Sequence, residues 1–221
     1  MTEIEPSITA PPEGFTKADE SPHSSARLEE WTFEWWSPDF AGVALYRLVE
    51  RAEAWYGWAL WRPGEPLVHV VVDGIRRRND PMIAKADAFW AEFTCEHAFE
   101  QWTIGNETYA VELDDARDAL RGARGTAVPI ASDLEWYATE AATAMADGYE
   151  QSGVILGDVE TVNGIVTIPE TLSRRTHRWG QTLAPAFRPA GVAHLGPQIG
   201  FVFPNETIDL VLDPNGWSQR V

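Results

Sequence analysis

Residues 27–36 read RLEEWTFEWW. Leu28, Glu30, Thr32, Glu34 and Trp36 fall on one side of an alternation, and Trp31, Phe33 and Trp35 on the other. A repeat of two is that of a β-strand, whose successive side chains point to opposite faces. The ring-bearing face calls for a sheet with an apolar side. The same texture recurs outward. GVALYRLVE (42–50) and EAWYGWALW (53–61) are separated by a short polar turn around Arg51. PLVHVVVDG (66–74) is a β-branched run closed by Asp73-Gly74, a hairpin signature. RRRNDP (76–81) reads as a loop. AFWAEFTCEHA (88–98) sets Phe89, Ala91, Phe93 and Cys95 against Trp90, Glu92, Thr94 and Glu96.

Further along, FEQWTIGNETYAVELDD (99–115) reads as a hairpin turning at Gly105-Asn106. DDARDALRGARG (114–125) is the best helix, with an acidic start and glycines at its end. VPIASDLEWYATE (128–140) resumes strand character, and AATAMADGYE (141–150) reads as a helical turn or loop. Two strands flank Asn163-Gly164, and a last hairpin turns at Pro204-Asn205. Roughly ten to twelve short strands and one helix fit an antiparallel barrel or sandwich. A barrel of this size has room for one small ligand. Residues 1–25 carry Pro6, Pro11, Pro12 and Pro22 among Ser, Thr and Glu. They read as a poorly ordered, dispensable N-terminal arm, with the barrel domain over 26–221.

Lysine plus arginine is 17 against 34 acidic residues, a net charge of -17. Such a surface repels phosphate backbones and anionic lipid, so neither nucleic acid nor membrane is expected as a partner. The lone Cys95 excludes an intrachain disulfide and a cysteine-based zinc site. The start lacks the basic and apolar regions of a signal peptide, which points to a cytoplasmic protein. His23, His69, His97, His177 and His194 are scattered, without helical ligand spacing. No metal and no cofactor is expected, and a homodimer is left open. The chain carries 11 tryptophans, more than a small core ordinarily uses, which suggests that some line a cavity.

The cations concentrate in RRTHRWGQT (174–182). On a strand, Arg175, His177 and Trp179 share one face. Imidazole titrates near neutral pH and serves as acid or base, and an indole face stabilises a cation. The arginines also have abundant carboxylates to pair with.

In order, EEWTFEWWSPD, CEHAFEQWTIGNETYAVELDD, SDLEWY and GYEQSGVILGDV leading into RRTHRWG resemble the lipocalin-like superfamily of carotenoid hydratases and AttH-type proteins, in particular its actinobacterial branch. Fungal cyclases of the Diels–Alder type are similar in fold. The resemblance spans roughly residues 27–182. It implies a lipocalin-like antiparallel β-barrel, here a condensed version of the usual two halves, with a pocket for a hydrophobic isoprenoid or polyene. His177, Trp179 and Gly180 match the family motif. Thr176 stands at the motif's aspartate, the proton donor to an alkene in the hydratases, and this departure argues against hydration.

The expected site therefore has His177, Glu92 and Asp133 as acid–base groups, because a carboxylate desolvated among rings becomes a usable general acid. Trp179, Arg175, Trp90, Trp136, Tyr137 and Trp35 are expected to contact the substrate. The expected function is a cofactor-free enzyme acting on a lipophilic terpenoid, polyene or polyketide-like substrate in an apolar barrel cavity, by hydration or dehydration, isomerisation or cyclisation. The alternative is a non-catalytic carrier of the same kind of ligand.

Overall fold

The computed structural model describes residues 7–37, 39–50, 52–62, 64–77, 80–114 and 125–181, and the backbone of 199–203, 206–213 and 216–219. The first four strands form an up-and-down meander: β1 (Leu28–Trp36), β2 (Ala41–Val49), β3 (Glu53–Trp61) and β4 (Val68–Arg76). A short hairpin, β5 (Ile83–Ala86) and β6 (Phe89–His97), precedes β7 (Gln101–Leu113) and β8 (Gly125–Ala138). Then come β9 (Thr143–Met145), β10 (Gly148–Thr161) and β11 (Gly164–Gly180). The predicted helix at 114–125 lies almost wholly outside the described residues.

Every neighbouring pair is antiparallel. β1 pairs with β2 on one edge and with β11 on the other, with Trp31 opposite His177. β11 pairs with β10, β10 with β8, and β8 with β7. The ring closes where β4 meets the far end of β7 through two residue pairs, Val68 with Glu112 and His69 with Val111. β6 occupies the near half of the same β7 edge. The sheet is thus a closed, barrel-like ring of hydrogen-bonded strands. β12 (Ile199–Phe203), β13 (Glu206–Asp213) and β14 (Gly216–Gln219) form a second antiparallel sheet, with Phe203 opposite Glu206 as the predicted hairpin requires.

The alternation read from RLEEWTFEWW fixes what the ring encloses. Trp31, Phe33 and Trp35 join Tyr46, Tyr56, Trp58, Phe93, Trp102, Leu134 and Trp136 in one buried cluster. Two glycines let large rings lie flat on neighbouring strands. A Cβ at Gly42 would sit 2.2 Å from the Trp35 ring, and one at Gly153 would sit 2.4 Å from that of Trp136. The expected central apolar cavity is filled here by the protein's own rings. The opposite face of β1 is buried too, at Glu30, Thr32 and Glu34.

Three readings change. Asp73-Gly74 does not close its strand: β4 continues to Arg76, and Gly74, at a φ of 59°, sits in a register irregularity against β3. Gly105-Asn106 is no turn: β7 runs straight through it, and Gly105 leaves space for the Trp90 ring, 3.2 Å from where a Cβ would stand. The chain reverses instead at 97–100, where Phe99 takes a left-handed φ of 61°. Residues 141–150 supply β9 and the start of β10 rather than a helix.

Candidate functional site

The N-terminal arm is the larger correction. Thr16 and Asp19 form a capping box: the Thr16 side chain accepts from the Ala18 N–H, and Asp19 accepts from the Thr16 N–H at 2.6 Å. This starts a 3-10 turn at Lys17–Glu20. The turn drives Glu20 into the sheet end, where it is buried. Phe15 packs edge-on against Tyr149 and Trp179, and His23 stacks on Trp179 with ring centres 3.9 Å apart. Residues 15–23 thus cap one end of the ring; residues 1–6 lie outside the described part.

Beneath the cap runs a continuous chain of polar groups. Arg175 donates to both Glu20 oxygens, at 2.9 and 2.6 Å, and to Gln151 Oε1 at 2.7 and 3.1 Å. The guanidinium lies over the rings of Trp136 (5.0 Å) and Tyr149 (5.3 Å), which stabilise its charge. Glu20 also accepts the Phe99 N–H at 2.8 Å and the Tyr149 hydroxyl at 2.9 Å. Tyr149 meets His177 Nδ1 at 3.0 Å, and His177 Nε2 meets Glu29 Oε1 at 2.8 Å. The same Glu29 oxygen faces His23 Nδ1 at 2.7 Å, and His23 Nε2 faces Asp19 at 3.0 Å.

Burial sets the protonation states. It pushes the Tyr149 phenol well above its ordinary value, so the hydroxyl keeps its single proton. It pushes the His177 imidazole down, against the opposing pull of Glu29. Burial alone would raise Glu20, but the Arg175 guanidinium outweighs it and holds the carboxyl below its ordinary value.

The predicted site residues separate into four places. Arg175, His177 and Trp179 do share one face of β11, and all three join the capped end. Arg174 pairs with Glu34 at 3.1 Å and Arg178 with Asp147, so the run of cations meets carboxylates on both faces. Trp136 and Trp35 are core rings, and the Arg175 guanidinium reaches Trp136. Glu92, Asp133 and Tyr137 do not enter an apolar interior. Glu92 alternates outward from Ala91 and Phe93 and accepts from Thr94 at 2.9 Å. Asp133 is exposed beside buried Leu134, and Tyr137 bonds Glu135 and Gln101 on the outer face. Thr176, at the position of the family's aspartate, points away from His177 toward the other face.

Trp90 lies elsewhere, in a broad concavity. It is open, with a volume of about 960 Å³, and lies at the opposite end of the ring. Phe89, Trp90, Tyr109, Pro129, Ile130 and Val162 give it apolar walls; Lys85, Glu107 and Glu160 bring charge. Phe89 and Ile130 belong also to the core, so they form its floor. One rung further along β7 and β8, Asn106 stands opposite Ser132. Both are buried, and neither Asn106 Oδ1 nor Ser132 Oγ has a hydrogen-bond partner.

The residues missed in the sequence are Glu20, Glu29, Tyr149, Gln151 and His23. Glu29 had a signal: it continues the Trp31–Phe33–Trp35 face, so the alternation puts a carboxylate on the apolar side. Among the described residues, His23, Glu29 and His177 bring three ligand-type atoms within 4.8 Å of one another, so the histidines do not stay scattered. No described helix is long and apolar enough to cross a membrane. Comparison of the chain with protein-family models, with curated proteins and with solved structures returned no match.

Proposed function

We propose that the protein binds a neutral lipophilic small molecule, bearing a hydroxyl or amide-like group, in the aromatic-walled mouth floored by Phe89 and Ile130, and that it carries this ligand rather than transforming it. The observation that carries the reading is one open concavity of about 960 Å³ in which Phe89, Trp90, Tyr109 and Ile130 stand beside the polar groups of Lys85, Glu107 and Thr108. Ligand sites commonly span about 300–1,000 Å³ and combine apolar walls with a few placed polar groups. The net charge of -17 disfavours an anionic amphiphile. The likeness of 27–182 to proteins that hold isoprenoids and polyenes supports the same ligand class.

Carriage is preferred to catalysis because the buried chain of Glu20, Tyr149, His177 and Glu29 is at the other end. Gln151 and Thr161 bracket the distance on β10: ten residues of strand span about 33 Å. A ligand at Trp90 is out of reach of His177.

The test is a titration with Nile red, a neutral fluorescent lipophile. The wild type is expected to bind one equivalent saturably. Trp90→Ala should weaken binding about tenfold or more, while Leu172→Ser, at an exposed apolar position on β11, should not. Unchanged binding in Trp90→Ala, or no saturable binding in the wild type, would rule the mouth out. Chemical conversion of a co-purifying lipophile by the wild type would restore the enzyme reading.

A further inference from the structure

We infer that His23, Glu29 and His177 form a binding site for one divalent transition-metal ion of the zinc class, tying the N-terminal segment to β1 and β11. Counting protons along the polar chain leads there. Asp19 can only accept, so His23 Nε2 carries a proton and a neutral His23 turns the Nδ1 lone pair toward Glu29. At the other side, Glu20 is an acceptor for the Tyr149 hydroxyl. Tyr149 has then used its one proton, so His177 Nδ1–H donates to the phenol oxygen, and a neutral His177 turns the Nε2 lone pair toward Glu29. Glu29 Oε2 is occupied by the His23 N–H at 2.8 Å, which leaves Oε1 as the converging atom. Three lone pairs therefore meet at one point. Only positive charge resolves that meeting: two extra protons, one on each ring, or a single dication.

Several features favour the dication. Both rings have their outer nitrogens held, one directly by a carboxylate and the other by a tyrosine backed by a carboxylate. That arrangement fixes tautomer and orientation at metal sites. Both rings are also clamped by stacking, His23 on Trp179 and His177 on Trp31 at 4.3 Å. A dication balances Glu29 and Asp19, while Glu20 and Arg175 neutralise each other. Two imidazoles and one carboxylate suit zinc, cobalt or iron(II) better than calcium or magnesium. Tetrahedral ligands about 2.0–2.2 Å from a first-row ion stand about 3.3–3.6 Å apart, so insertion moves Glu29 Oε1, now 2.7 and 2.8 Å from the two imidazole nitrogens, away from each by about 0.5–0.9 Å. A hollow of about 30 Å³, bordered by His23 and Glu29, offers space for a water as fourth ligand.

The experiment uses the full chain, stripped with a chelator and titrated with Co²⁺ and then Zn²⁺. One equivalent of Co²⁺ should give visible d–d absorption that Zn²⁺ abolishes, and Zn²⁺ should raise the melting temperature. His23→Gln should weaken Zn²⁺ binding about a hundredfold or more. Asp19→Asn keeps every ligand and should weaken it about 10–100-fold, the range for an outer partner. His97→Gln, an exposed histidine, should leave binding unchanged. Circular dichroism confirms that the variants are folded. Absence of one-equivalent uptake by the wild type, or full affinity in both His23→Gln and Asp19→Asn, overturns the inference and leaves a proton-bridged cluster. Nile red binding is read separately at the far mouth, so the two proposals fail independently.

Discussion

Glu20→Ala tests the capped end most directly. The substitution leaves the Arg175 guanidinium buried with only the neutral Gln151 and Tyr149 as polar partners, and takes the acceptor from the Phe99 N–H. Removing one partner of a buried ion pair typically costs about 3–5 kcal/mol, because the other charge stays desolvated. Domain stabilities are only about 5–15 kcal/mol. With a urea m-value near 2 kcal/mol/M, a loss of about 4 kcal/mol moves the midpoint down by about 2 M. Tryptophan fluorescence follows the transition. Glu20→Leu with Arg175→Met should regain most of the loss, since it removes both charges instead of stranding one. The pH dependence has a definite sign. Glu20 is held below its ordinary value of 4.5, so its contribution is complete above that pH and vanishes as pH falls through the lower folded value. The gap between wild type and Glu20→Ala should therefore close on acidification below about 4.5. A midpoint shift under about 0.5 M at neutral pH would mean that residues 15–23 do not hold this end, and would restore the dispensable arm.

Two other perturbations follow from the core and the seam. His69 is buried at the β4–β7 closure with both ring nitrogens unpartnered, and burial pushes it down to about 4. The unfolded chain takes up the proton first, so stability should fall between about pH 6.5 and 4 by roughly 3 kcal/mol. His69→Leu should flatten that slope in urea midpoints measured from pH 7 to 4.5, and an undiminished slope would contradict the assignment. Gly42→Ala should cost about 2 kcal/mol, as overpacking does, because its Cβ meets the buried Trp35 ring. Gly105→Ala should cost less, since Trp90 is partly exposed and can shift; equal losses in thermal unfolding would refute the distinction.

The fold was legible where alternation was strong. The meander β1–β4, the strand at 128–138, the Asn163-Gly164 turn and the shared face of Arg175, His177 and Trp179 all follow from a repeat of two. The alternation in AFWAEFTCEHA sets Glu92 opposite the buried face of Phe89, Ala91 and Phe93, so the expected interior acid does not follow from the strand period. The reversal at 97–100 carries no glycine, since Phe99 itself adopts the left-handed conformation, and Gly105-Asn106 was the more conspicuous turn signal. Least legible was the cap. Nothing near Glu20 announces a cation, because Arg175 is 155 residues away and the proline-rich text around it resembles an unstructured tail. Local composition describes what a segment can do alone; the capped end exists only through its distant partner.

That separation has a consequence for synthesis. At roughly 5–20 residues per second, a ribosome needs about 8–30 s to travel from Glu20 to Arg175. During that interval β1 lacks its β11 neighbour, and Glu20, Glu29 and His23 wait without the groups that later enclose them. A nascent chain arrested before Arg175 would expose the open edge of a tryptophan-rich meander to whatever binds unpaired strands. The segment around Glu20 is consequently among the last to dock, and the emergence of β11 serves as the trigger for sealing this end of the ring.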